Sequence, residues 1–456
     1  MKRILPRRLM PRRRRTGNAG HAGGMRPDPV RPTHNSTTIR LARHALLTAT
    51  VCGLALAAAG QAPPRTFAMP TRLYQVGPNP NAIVAADLTD NGLLDIVTAD
   101  RGALYDTREE RPANDELSIL LAEQPFDYVR RHPSLKTGFA PYALAIANVD
   151  GLKWPDIIAV NFHATRNRDV SVFLNLKDEN VFKALDFKVN EDLLQYHRHH
   201  DGEGVPLYTM PGLTDVVIHD VTGNGLRDLI ATGWSSDVIV VMPGHRDLIF
   251  DAPHLIEAPG APRALALADL DGDGHMDLAA AMYATAEVAL FKGDGKGGFT
   301  EATRFASRGR LPTTIHVRDM NRNGKPDIIV SHAHSDDSIV IFYSDGPFSF
   351  PMAQELMLGK DRAVLEHEIR DLAIADLNNN GRLDLAAACH ASARVVVLFN
   401  ESETGALPQH FRQEHYPFND GRPRALCIGD FDKDGRPDIA VALWESNAVG
   451  LMRNIR

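Results

Sequence analysis

Alternating carboxylates on a tight, glycine-bearing loop are the clearest chemistry in this chain. Asp269, Asp271, Asp273, Gly274 and Asp277 follow the pattern D-x-D-x-D-G-x-x-D, and Asp430, Asp432, Asp434, Gly435 and Asp438 repeat it. Acidic side chains two residues apart on such a loop can converge on one hard cation, the glycine permits the sharp turn, and the last Asp can close the shell. That chemistry is calcium ligation. Five further copies begin at Asp87, Asn148, Asp220, Asp319 and Asp376, so successive starts lie 61, 72, 49, 50, 57 and 54 residues apart.

The seven copies rank by ligand supply. The fourth and seventh offer four Asp each and are expected to bind most strongly. The fifth (Asp319, Asn321, Asn323, Asp327) and the sixth (Asp376, Asn378, Asn380, Asp384) are expected to bind as well. The first (Asp87, Thr89, Asn91, Asp95) and the third (Asp220, Thr222, Asn224, Asp228) carry a threonine at the third position and are expected to be weaker. The second (Asn148, Asp150, Leu152, Lys153, Asp156) is expected to be empty.

The elements that carry these loops read as strands. Around the fourth copy, Ala264 to Ala268, Asp277 to Ala281, Glu287 to Phe291 and Gly298 to Ala302 are short apolar runs separated by turn residues. Four antiparallel strands per repeat at this period make a propeller blade, which buries its faces only against its neighbours in a ring. The expected fold is therefore all-β, a seven-bladed β-propeller of four-stranded blades over residues 70–456. The chain ends before the seventh blade has a fourth strand, and Thr71 to Val76 is expected to supply it from the N-terminal side.

With its sevenfold loop, the chain resembles the integrin-like FG-GAP/VCBS repeat family over Pro70 to Arg456, and Lys292 to Phe299 looks like that family's Gly-Phe segment. The resemblance implies a calcium-stabilised propeller. It implies no ligand, because one fold serves many functions. An EF-hand would need flanking helices and a longer loop, and calcium rolls would repeat far more closely.

Ligand recognition is expected on the face opposite the acidic loops. Six positions after each last loop Asp stand Arg101, Phe162, Trp234, Tyr283, Ala333, His390 and Trp444, with His163, His332 and His334 beside this ring. Six positions before each first ligand stand Asn81, Tyr142, Thr214, Arg263, Thr313, Arg370 and Arg424. From these sets the candidate ligand-binding residues are Arg101, Trp234, Arg263, Tyr283, His332, Arg370, His390, Arg424 and Trp444. Aromatics with fixed cations suit a sugar or a carboxylated ligand, whereas the competing expectation is blade packing and local ion pairs. Two insertions, Arg101 to Glu116 and Glu191 to Leu213, extend the same face. The second holds Tyr196, His197, His199, His200, Asp201 and Glu203, a set open to a transition metal or to solvent.

Residues 1–62 differ in composition. Twelve basic residues precede the apolar run Ala45 to Ala59, the pattern of a secretory signal peptide, and the run is too short for a membrane span. Without residues 1–59 there remain 38 basic and 56 acidic residues, a formal charge of −18 that excludes a nucleic-acid binder. Cys389 and Cys427 are expected to be buried free thiols. The reading is a secreted, periplasmic or cell-surface monomer that recognises an extracellular glycan or protein ligand. The alternatives are a lyase-like enzyme on an acidic polysaccharide and a protein-binding adhesion scaffold.

Overall fold

Each acidic loop joins an inner strand to a second strand that begins at the last loop Asp. The computed structural model describes residues 65–102, 114–163, 168–177, 182–189, 199–200, 206–207, 212–334, 338–358, 368–419 and 421–456. The inner strands are Pro80–Ala86, Phe139–Ala147, Leu213–His219, Pro262–Ala268, Arg310–Arg318, Ile369–Ala375 and Pro423–Gly429. The second strands are Asp95–Asp100, Asp156–His163, Asp228–Gly233, Asp277–Met282, Asp327–His334, Asp384–Cys389 and Asp438–Leu443. Third and outer strands complete seven antiparallel sheets in sequence order.

The protein is an all-β, seven-bladed propeller. The ring follows from the packing: seven apolar clusters each lie between two neighbouring blades, and the last joins Ile83, Ile96 and Leu120 of blade one to Phe431, Ala440 and Val449 of blade seven. Second strands such as Asp277-Leu-Ala-Ala-Ala-Met282 are buried along their whole length. A strand covered on both faces reads as a continuous apolar run, and alanine lets the neighbouring blades approach closely. The outer edge of blade seven carries two short strands from the N-terminal side: Leu73–Gln75 pairs with the third strand Ala448–Asn454 in the register Leu73 to Gly450, and Phe67–Ala68 pairs with its far end. The sequence reading did not include Phe67–Ala68. Cys389 is buried and Cys427 half-buried, and no disulfide joins them.

The last loop Asp has a structural task. Asp277 Oδ2 accepts the Leu270 N–H at 2.8 Å and Oδ1 accepts the Gly293 N–H at 2.9 Å, tying the loop to the third strand. Asp95, Asp156, Asp228, Asp327, Asp384 and Asp438 make the same pair of bonds, and all seven carboxylates are fully buried. Blade two keeps this clasp although its loop carries Leu152 and Lys153 where the other loops carry Asp or Asn and Gly. Burial raises Asp95, Asp156 and Asp327 to about 6, and Asp384 and Asp438 to about 7.

Candidate functional site

Two sets of polar residues stand out, one in the acidic loops and one at the other end of the inner strands. In blade four, oxygens of Asp269, Asp271 and Asp273 lie within 4.8 Å of one another, as do those of Asp430, Asp432 and Asp434 in blade seven. Converging hard oxygen donors on a glycine turn fit a calcium-sized cation. Both loops also receive a basic side chain from the third strand. Lys292 pairs with Asp271, and with Asp273 at 2.8 Å, while Arg453 lies 2.6 Å from Asp432.

The other blades handle the same position differently. In blades one, three, five and six the fifth loop residue is Asn, and its Nδ2 donates to Ala122, Gly244, Ser344 and Asn400 carbonyls at 2.8, 3.2, 3.3 and 3.1 Å. The Asp of blades four and seven cannot donate such a bond. At the third-strand register where blades four and seven carry Lys292 and Arg453, the remaining blades carry Leu121, Leu174, Pro243, Tyr343 and Phe399. From the sequence, Lys292 is named only as the start of the Gly-Phe segment, and neither basic residue is given a role in the loops. Their signal was present, since they occur only in the two blades with three alternating Asp.

At the opposite end, all seven inner strands share an irregularity. The register skips one residue in six of them and the pair Thr214–Asp215 in the third, which places Asn81, Tyr142, Thr214, Arg263, Thr313, Arg370 and Arg424 at the irregularity. These are β-bulges, which re-aim a side chain out of the ladder. The result is a ring. All seven line a central cavity of about 470 Å³, with Asp215, Asp371 and His316 further along the same walls.

Tyr142 is the hub of this ring. Its hydroxyl lies 2.5 Å from Arg263 Nη2, and the Arg263 and Arg101 guanidiniums stand 5.3 and 5.1 Å from its ring centre. Its carbonyl accepts from Asn81 Nδ2 at 2.7 Å, and Asn81 Oδ1 accepts both Nε and Nη2 of Arg424 at 2.9 and 2.7 Å. Burial alone would raise the phenol, but Arg263, Arg424, Arg101 and Arg370 outweigh it and bring Tyr142 down to about 7. Burial lowers Arg101 to about 10 and Arg370 to about 9, with the neighbouring guanidiniums adding to the shift of Arg370. All four remain cationic at neutral pH.

The ring of residues after the last loop Asp is placed behind this wall. Tyr142, Phe162, Trp234 and Tyr283 form a chain of ring contacts at 5.2, 5.7 and 5.5 Å across blades two to four, and Trp234 is 8% exposed. His390 and Trp444 are half-buried with their rings 6.2 Å apart, and Arg424 lies over Trp444 at 5.0 Å. Burial holds His390 down to about 3, helped by Arg424 and Arg370, so it is a neutral imidazole. His332 is fully buried with Nε2 3.1 Å from Ser307 Oγ. Of the candidate ligand-binding residues, Arg263, Arg370 and Arg424 face the channel, Arg101 caps Tyr142, and Trp234, Tyr283, His332, His390 and Trp444 do not line the cavity. Most of the two insertions, including Tyr196, His197, Asp201 and Glu203, lies outside the described residues; the backbone at His199–His200 pairs with Pro206–Leu207.

The family model of the FG-GAP-like repeat matches residues 220–280, 269–330, 319–387 and 376–441, each stretch running from one acidic loop past the next. The chain is an FG-GAP-repeat propeller. No curated protein sequence matches this FG-GAP propeller. Among solved structures it is similar to BBS1N in complex with ARL6DN, with a TM-score of 0.55 at 12% identity, covering 86% of this chain and 98% of that one. It is also similar to virginiamycin B lyase from Staphylococcus aureus, with a TM-score of 0.51 at 12% identity, covering 85% and 100%. A putative 6-phosphogluconolactonase from Bacteroides fragilis gives 0.50 at 15% identity, covering 77% and 87%. At these identities the likeness shows the fold alone. No helix among the described residues is long and apolar enough to cross a membrane.

Proposed function

We propose that this FG-GAP propeller is an exported, calcium-stabilised recognition protein that holds an extracellular glycan at the end of its channel opposite the acidic loops. One observation carries the reading. Seven bulges at equivalent positions aim Asn81, Tyr142, Thr214, Arg263, Thr313, Arg370 and Arg424 at one cavity, which concentrates polar groups without a nucleophile or phosphate loop. Calcium would be held by Asp269, Asp271 and Asp273 and by Asp430, Asp432 and Asp434, neutralising each loop and binding the folded ring in preference to the unfolded chain. The basic, then apolar, leader supports export to the cell surface, periplasm or medium.

Tyr142 favours a second reading. A phenol drawn down to about 7 beside four guanidiniums could serve as the base of a polysaccharide lyase. A glycan array probed with the full-length chain in calcium, together with assays for degradation of uronic polymers, tests both readings. Retention without degradation supports recognition, and degradation supports the enzyme. Binding to no glycan removes both and leaves a protein partner.

A further inference from the structure

We infer that the arginine-lined end of the channel is an oxyanion site for the carboxylate of a uronic acid residue, held by Arg263, Arg370 and Arg424 with Asn81 beside them. This rests on the recognition reading above and names its ligand class. Arg263 is 8% exposed, lines the cavity, and has a buried Nε with no hydrogen-bond partner among the described residues; the buried Nε of Arg370 has none either. Native structures seldom leave such donors unmet, so the geometry asks for an acceptor.

The acids nearby do not supply it. Asp215 gives one oxygen to the Leu265 N–H at 2.9 Å and the other to the Val216 N–H at 2.9 Å. Asp371 is spent in the same way on Leu426 and Leu372, both at 2.8 Å. Glu368 pairs with Arg370. Four guanidiniums therefore stand against three carboxylates, and among the described residues their hydrogen-bonding partners are Glu368, the Tyr142 hydroxyl and Asn81, with none from Asp215 or Asp371. Buried cations without matching anions are costly, and a ligand carboxylate relieves that cost through short, charge-assisted bonds to the planar guanidinium forks.

Sulfate esters and inorganic phosphate share the oxyanion chemistry, but the cavity of about 470 Å³ also has room for a sugar ring. Tyr142 has a defined part here. In the free protein its hydroxyl occupies Arg263 Nη2, so an incoming carboxylate competes with it.

The test is titration calorimetry on the full-length chain in calcium, with oligogalacturonate, its methyl ester, a sulfated oligosaccharide, a neutral oligosaccharide and inorganic phosphate as ligands. Methyl esterification is expected to weaken binding about 10- to 100-fold, the value of a hydrogen-bonded charge pair. Arg263→Met and Arg370→Met should each weaken oligogalacturonate by a similar factor. Arg370→Lys, at a half-buried position, keeps the charge and guards against a folding defect; it should lose the forked contact and bind several-fold more weakly with an unchanged melting temperature. Tyr142→Phe should bind several-fold more tightly. Equal affinity for acid and ester overturns the oxyanion site and leaves glycan recognition standing. Tighter binding of phosphate or the sulfated sugar than of oligogalacturonate overturns the uronate assignment. Binding to none of the sugars overturns both readings.

Discussion

Replacing Asp156 by Ala isolates the carboxylate clasp from any metal, because the loop of blade two carries Leu152 and Lys153 where the others carry a ligand and its neighbour. In the wild type Asp156 accepts the Val149 and Asn175 N–H groups, both at 2.9 Å, and is fully buried. The substitution strands two buried donors at about 1–3 kcal/mol each, and above about pH 6 it also removes a desolvated charge, which offsets part of that loss. We expect a net destabilisation of about 2–4 kcal/mol at pH 5. The pH dependence carries the diagnostic. Burial raises the folded Asp156 to about 6 from its ordinary 3.8, so its contribution is complete below the unfolded value and is lost as pH rises through about 6. The gap between wild type and variant should therefore shrink from pH 5 to pH 8. Urea denaturation at both pH values, with and without calcium, measures it. A loss below about 1 kcal/mol, or one that grows with pH, would refute the clasp argument.

Lys292→Met and Arg453→Met should each lower the melting temperature of the calcium-free protein and raise calcium affinity several-fold by calorimetry, since each removes an internal cation that calcium must displace. Unchanged or weaker affinity would reject that competition. Asp215 and Asp371 in the channel wall are raised to about 7 and about 6 by burial, so their contribution is lost as pH climbs through that window; Asp215→Asn and Asp371→Asn should flatten stability between pH 5 and pH 8, seen as a smaller shift in urea midpoint. Deleting residues 65–76 removes the buried Phe67, Tyr74 and Val76 and the strands on the edge of blade seven, at about 1.5–3 kcal/mol per side chain. Sedimentation should show association through the exposed edge, and a monomer of unchanged melting temperature would count against it.

The repeat was legible because one residue serves two purposes. The last loop Asp both opens the second strand and clasps the third, so it stayed at a fixed place in all seven copies even where the ligands before it eroded, as at Asp156. The bulges also have a correlate in the sequence: Pro80, Pro141, Pro262, Pro312 and Pro423 each precede the bulged residue, and a proline, which has no N–H to donate, is tolerated in a sheet beside a bulge. Depth was not legible. Trp234 and Arg263 look equally exposed when counted from their loops, yet the bulge turns Arg263 into the channel while the unbulged second strand leads Trp234 into the packing between blades. Pairings distant in sequence, such as Phe67 with Asn454, carry no local pattern at all. The Asp and Asn variants of the loops differ in more than ligand count. Asn323 and Asn380 satisfy the third strand with their own amides, whereas Asp273 and Asp434 cannot and bring Lys292 and Arg453 with them. The loops richest in carboxylate thus also carry a basic side chain that any cation proposed for them would have to displace.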